Sequence, residues 1–251
     1  MVPYALSAPV TVTWAPEALR QALVQHLPRT ANGNFVREFI QVGVLPFTSA
    51  EGMYERFPTG EFPLLARQVL LSDSATPPAP FPSSLSTPLS FGNPYPASWQ
   101  LYGELLAQAP AGNGTMVSVR SVDFLDSLKM QPRALRLAPV QQLLVDGKDA
   151  LTATTVRTSP TFRWTPSLTG TPNGYILEVG DGKDAPSTAR FSFYTYRNSV
   201  SIPPGVLVPG DTYTFHLRAV MEPNTDFRSA PLHQSLPVDE AEVITAPLLA
   251  Q

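Results

Sequence analysis

The chain has 251 residues, enough for one large or two ordinary domains with real cores. Its 43% hydrophobic content is globular rather than disordered, and a net charge of −3 with scattered Lys and Arg leaves no electrostatic footprint for nucleic acid. With no cysteine, disulfides, thiolate metal sites and cysteine nucleophiles are excluded, and no run approaches the ~18 apolar residues of a membrane-spanning helix.

Charged residues make up only 15%, and there are 28 prolines. Low charge with much Pro, Ser and Thr suits β-rich exported proteins and disfavours long surface helices. The start, Met1 to Leu6, lacks the basic and apolar regions of a signal peptide. The expectation is therefore an extracellular or cell-envelope protein whose export signal has been removed, with the cytoplasm as the alternative.

In chain order, Val10 to Trp14 alternates like an edge strand. Pro16 to Leu27 then changes period: Leu19, Ala22, Leu23 and Leu27 make a helical stripe behind a Pro16-Glu17 first turn, which predicts one short helix. Asn32-Gly33 turns the chain, and Phe35 to Leu45 is strand-like. Phe62 to Leu71 is a second apolar run after the Thr59-Gly60 turn. Residues 72–98 are so rich in proline that ladder bonding is excluded and extended polyproline conformation is favoured. Trp99 to Leu106 and Thr115 to Val122, joined through Pro110 to Gly114, read as a hairpin, and Arg133 to Leu137 reads as a further strand. So few strands would be marginal alone, so 72–98 is read as a long loop inside one β-rich, sandwich-like domain, residues 1–137. Phe81, Phe91, Tyr95 and Trp99 would pin that loop down.

A short repeat, Asp146-Gly147-Lys148-Asp149-Ala150 and Asp181-Gly182-Lys183-Asp184-Ala185, offers two carboxylates per copy with a lysine between them. Calcium loops present more oxygen ligands at alternating positions, so the copies read as polar hairpin turns. Asn173-Gly174 reads as another such turn. His26, His216 and His233 are far apart and lack metal-ligand spacing; His216 is expected on the solvent face of its strand. No Gly-x-Ser-x-Gly motif occurs, Ser90 and Ser98 have no neighbouring histidine, and Gly112-Asn113-Gly114 lacks the lysine and helix of a phosphate loop. Asn113-Gly114-Thr115 matches a glycosylation acceptor, a triplet expected by chance in a chain of this length. No catalytic residue, metal ligand or cofactor is expected, and the chain is read as not being an enzyme.

The most informative stretch runs from Leu207 to Val220. Leu207-Val208-Pro209-Gly210-Asp211-Thr212-Tyr213 is a turn feeding a strand in which Tyr213, Phe215, Leu217 and Ala219 share one face and Thr214, His216 and Arg218 the other. Upstream lie Pro160 to Pro166 around Trp164, Gly174 to Val179 with Tyr175, and Val200 to Ile202, with Val140 to Val145 and Glu242 to Thr245 as candidate first and last strands. In order and spacing these motifs resemble a fibronectin type III domain over residues ~138–251, with Trp164, Tyr175, Leu207 and Tyr213 as its structural core. The residues between Val220 and Glu242 depart from the family, which usually has a short loop there.

The expected fold class is therefore all-β: two β-sandwich-like domains, the second fibronectin type III-like and thus immunoglobulin-like, with one short helix in the first. The resemblance implies a non-catalytic structural, adhesion or protein-interaction module, here of an exported protein of the bacterial surface, with a protein partner on the cell surface. The alternative is a carbohydrate-binding accessory module. The candidate binding residues are Tyr194 and Tyr196, which fall on the face opposite Phe191 and Phe193 in Arg190 to Arg197. They form either an exposed recognition pair or ordinary cross-strand packing beneath the 221–241 segment.

Overall fold

The computed structural model describes residues 33–44, 64–69, 97–108, 114–124, 136–182, 189–231 and 237–251. The strand expected at Val10 to Trp14, the helix at Pro16 to Leu27, the proline-rich stretch up to residue 96 and the second Lys183-Asp184-Ala185 repeat lie outside them. The described residues are all-β, without a helix. Four strands come from the first half: β1 (Gly33–Val44), β2 (Leu64–Val69), β3 (Ala97–Gln108) and β4 (Gly114–Phe124). Next come β5 (Gln141–Val145), β6 (Lys148–Asp149), β7 (Thr155–Val156), β8 (Thr161–Thr165) and β9 (Gly174–Asp181). The last five are β10 (Ala189–Thr195), β11 (Ser199–Ser201), β12 (Thr212–Met221), β13 (Val238–Ile244) and β14 (Leu248–Ala250).

These strands make two sheets, an arrangement that fits a β-sandwich. The larger has ten strands in the order β10-β9-β12-β13-β4-β3-β1-β2, with β14 on the start of β12 and β7 parallel to β14. The smaller runs β11-β8-β5-β6. β3 and β4 pair antiparallel from Ser98↔Phe124 to Gln108↔Gly114, the hairpin that alternation predicts. β4 then pairs with β13 from Val238↔Val122 to Ile244↔Met116, so strand hydrogen bonds join the two halves of the chain.

The core lies between the sheets. Leu177, Val179, Phe215, Leu217, Ala241 and Val243 of the large sheet, with Val117 and Val119 of β4, face Leu143, Val145, Phe162 and Trp164 of the small one. Phe162 meets Phe215 at 4.7 Å between ring centroids, and Trp164 meets Tyr175 edge-on at 5.1 Å. Aromatic pairs at such tilts add about 0.5–1.5 kcal/mol each beyond the area they bury. Arg136 and Leu137, the described end of an expected strand, are not in a strand. Ala138 instead donates its N–H to Thr169 O at 3.0 Å, and Leu137 is buried in the core. That segment is a crossing, pinned to a turn rather than to a ladder.

Two turns show how local chemistry sets the frame. At Val208-Pro209-Gly210-Asp211, Asp211 N–H donates to Val208 O at 3.2 Å and Gly210 has φ +86°. That is a type II turn, with proline at its second position and glycine where φ must be positive. The Tyr213 ring is buried behind this turn, and its hydroxyl accepts the Val208 N–H at 3.0 Å. At Asp146-Gly147, φ is +50° and +81°, a two-residue hairpin turn between β5 and β6. Asp146 Oδ1 accepts the Thr161 N–H at 3.0 Å and also bonds the Arg157 guanidinium. The first copy of the repeat thus spends this carboxylate on neighbouring protein groups.

Two outcomes follow. Tyr213→Phe should cost about 1 kcal/mol or somewhat more, because Val208 N–H loses its acceptor; an unchanged urea midpoint would remove the corner from the account. For Asp146, hydrogen bonding to Arg157, and to Thr161 N–H, lowers the pKa against a smaller opposing effect of burial. A carboxylate lowered in the folded state stabilises above the unfolded pKa, about 3.9, and that stability is lost as pH falls through the folded value. Wild type should therefore exceed Asp146→Asn by a modest margin at pH 6, under about 1 kcal/mol because solvent screens the pair. The margin should shrink as the pH falls below about 3.9, and a margin independent of pH would refute the assignment.

Candidate functional site

Strand β12 sits between β9 and β13, and its alternation sends Thr214, His216 and Arg218 to the face away from the core. The registers Glu178↔His216↔Ile244 and Ile176↔Arg218↔Glu242 bring acidic residues of both neighbours onto that same face. Arg218 Nη2 lies 3.1 Å from Glu178 Oε2 and 3.9 Å from Glu242 Oε1, and its Nη1 lies 3.5 Å from Glu240 Oε1. Arg120 of β4 reaches Glu240 Oε2 at 3.7 Å, and His216 Nδ1 lies 3.4 Å from Glu242 Oε1.

This face is not solvated. His216 is 4% exposed and Arg218 9%, with Glu178 and Glu240 also buried. The expectation of a solvent-facing His216 is thus corrected: alternation separates two faces, but it does not say whether the second is covered. Burial alone would lower the Arg218 pKa, yet Glu240 and Glu242 outweigh it and hold the guanidinium charged, above its ordinary range.

Glu178, His216 and Glu242 offer ligand atoms within 4.8 Å of one another, close enough to converge on a metal ion. Arg218 argues against that use. Its guanidinium already lies against carboxylate oxygens of Glu178 and Glu242, and a divalent cation beside that fixed charge in a low-dielectric interior would be strongly repelled. The cluster therefore works as a buried ion-pair network in which arginine takes the cation's part.

The second place of interest is β10, which flanks β9 at the end of the large sheet. Here the structure puts both candidate tyrosines: Tyr194 is 38% exposed and Tyr196 50%. Of the two phenylalanines opposite them, Phe193 packs against the core, whereas Phe191 is 44% exposed. Both rings share one face, opposite Val179 and Leu177 of β9, so the difference lies in how far the core covers this end of the edge strand.

The segment after β12 comes back over this end of the sheet. Asn173 Oδ1 accepts Glu222 N–H at 3.0 Å, and its Nδ2 donates to Glu222 O and Thr225 O at 2.9 and 2.8 Å. Asn173-Gly174 is thus a clamp rather than the hairpin turn its composition suggests. The Phe227 ring lies so close over Gly174 that a β-carbon there would meet it at 2.3 Å. Phe227 in turn lies 6.3 Å from Tyr194, and the Arg228 guanidinium lies 4.8 Å from the Tyr196 ring centroid. The tyrosines are thereby partly framed by this segment and partly open. Nothing local in the sequence marks Phe227 or Arg228, and Asn173 is marked only as part of a turn; their convergence is a matter of space alone.

Trp164, Tyr175, Leu207 and Tyr213 are all buried. Among the described residues no helix is long and apolar enough to cross a membrane. The chain matches no protein-family model and no curated protein sequence.

The ion-pair network has a measurable consequence. Arg218→Met removes the charge but keeps much of the volume, taking the arginine charge from buried Glu178 and leaving Arg120 to face Glu240. Stability should fall by about 3–5 kcal/mol in chemical denaturation. A loss under about 1 kcal/mol would mean that the cluster is solvated.

Proposed function

We propose that this chain is a non-catalytic structural, adhesion or protein-interaction module of an exported protein of the bacterial surface. In this reading residues 138–251 form a fibronectin type III-like unit beside a β-rich unit of residues 1–137. The observation that carries it is the Tyr213 hydroxyl accepting Val208 N–H behind the Pro209-Gly210 turn, in a two-sheet packing with Trp164 buried between the layers. A corner tyrosine and a buried tryptophan are features of immunoglobulin-like sandwiches. Export is supported by low charge and abundant proline.

A protein partner is favoured over a sugar by what surrounds the exposed rings. Sugar stacking needs an open aromatic face, but Arg228 already lies over Tyr196 and Phe227 flanks Tyr194. Tyrosine beside arginine, at low conformational cost, is the chemistry of protein recognition.

The test places a photo-crosslinking amino acid at position 196 of the full chain in its source cells, with position 157 as the control site. Protein adducts at the cell surface from 196 and not from 157 are expected. Adducts confined to cytoplasmic proteins would overturn the export assignment. Retention on a glycan array that Tyr194→Ala/Tyr196→Ala abolishes would establish the carbohydrate alternative instead.

A further inference from the structure

The exposed edge of β10 has the features of a strand acceptor, and its surroundings indicate the charge of the guest. β10 pairs with β9 along one side, and Ala189, Arg190, Phe191 and Ser192 are all exposed. A sheet edge presents unpaired N–H and C=O groups, which proteins commonly blunt with lysine, proline or short length. Ala189–Thr195 runs for seven residues with neither lysine nor proline, and its one irregularity is confined to the start, so Phe191 to Thr195 stay in regular register with β9.

Where the strand ends, two guanidiniums come to one ring: Arg228 at 4.8 Å and Arg197 at 5.8 Å from the Tyr196 centroid. Positive charge is thus gathered where the strand ends, and like charges brought together favour an added anion. Among the described residues neither guanidinium is hydrogen-bonded to a carboxylate. Arg190 at the other end is bound to Asp181. The nearby Asp226 carboxylate accepts Arg228 N–H and the Ser229 hydroxyl, both at 3.0 Å, and feels the Arg228 charge without a hydrogen bond to its guanidinium. The planar fork of arginine suits a carboxylate, and exposed Tyr196 supplies an apolar wall beside it.

We propose that β10 takes up an extended, acidic segment of a partner protein as an additional strand, with a partner carboxylate held by Arg197 and Arg228. Main-chain hydrogen bonds to β10 would supply affinity, and the arginine pair would select for acidic side chains. This rests on the protein-interaction reading and names the partner's chemistry.

Fluorescence anisotropy of the full chain with short labelled peptides tests it. The probe alternates threonine and glutamate; a threonine–lysine peptide is the charge control. Two further threonine–glutamate peptides carry N-methyl groups on alternate backbone nitrogens, in opposite phase. The glutamate peptide should bind, the lysine peptide should not, and one methylated phase should lose binding while the other keeps it. Arg197→Gln/Arg228→Gln should weaken binding roughly 10- to 100-fold, the range for a lost charge-assisted hydrogen bond, with unchanged circular dichroism. Equal binding of the lysine peptide, indifference to both methylations, full affinity in the arginine variant, or no glutamate-peptide binding into the millimolar range would each overturn the proposal. A concentration-dependent dimer in sedimentation that Phe191→Lys abolishes would give the edge to a second copy and overturn it as well. If these arms fail while position 196 still crosslinks to surface proteins, the interaction reading stands and only the acidic-strand assignment falls.

Discussion

Strand β12 is buried on both faces, and the rest of the described structure is arranged to make that tolerable. Its core face is apolar, with Phe215, Leu217 and Ala219 without measurable exposure. Its other face carries His216 and Arg218, and the burial of the guanidinium would be prohibitive unless neighbouring strands supplied opposite charge at the right register. β9 and β13 do so with Glu178, Glu240 and Glu242. A slip of one residue in either pairing would send those carboxylates to the apolar side, so the ion pairs specify register as firmly as the hydrophobic core does.

That constraint also links the two halves of the chain. Arg120 of β4 reaches Glu240 on one face of the sheet, while Val117 and Val119 of the same strand enter the core on the other. β4 thus completes both layers of the β13 environment. The opposite flank of the sheet ends in β10, where the strand is exposed and framed by the segment that Asn173 clamps. The protein therefore has a charge-locked centre and, at β10, an aromatic and arginine-bearing edge. Rigid placement with open backbone groups is what strand addition requires.

Much of the fold could be read from residues that act over short range. The alternation in Tyr213 to Ala219 marks the core face, Pro209-Gly210 marks a turn, and Asp146-Gly147 marks a hairpin, because each depends on backbone preferences within a few residues. The hairpin of β3 and β4 was legible for the same reason. Asn173-Gly174 shows the limit: its composition suits a turn, but the asparagine satisfies backbone groups of Glu222 and Thr225, partners that no local pattern announces. Phe191 shows another, since it shares a face with Phe193 in register with β9, yet at the end of the sheet only Phe193 reaches the core.

By itself the sequence determined the β character, the strand positions around Trp164 and Tyr213, and the separation of each strand into two faces. Those are consequences of side-chain alternation and of proline and glycine chemistry. Tertiary structure alone decided that the polar face of β12 is covered, that Glu178, Glu240 and Glu242 meet Arg218 there, and that Arg197 and Arg228 come to one tyrosine ring. The physical reason is that a period of two says which residues share a face. Only the pairing of strands distant in sequence says what that face touches.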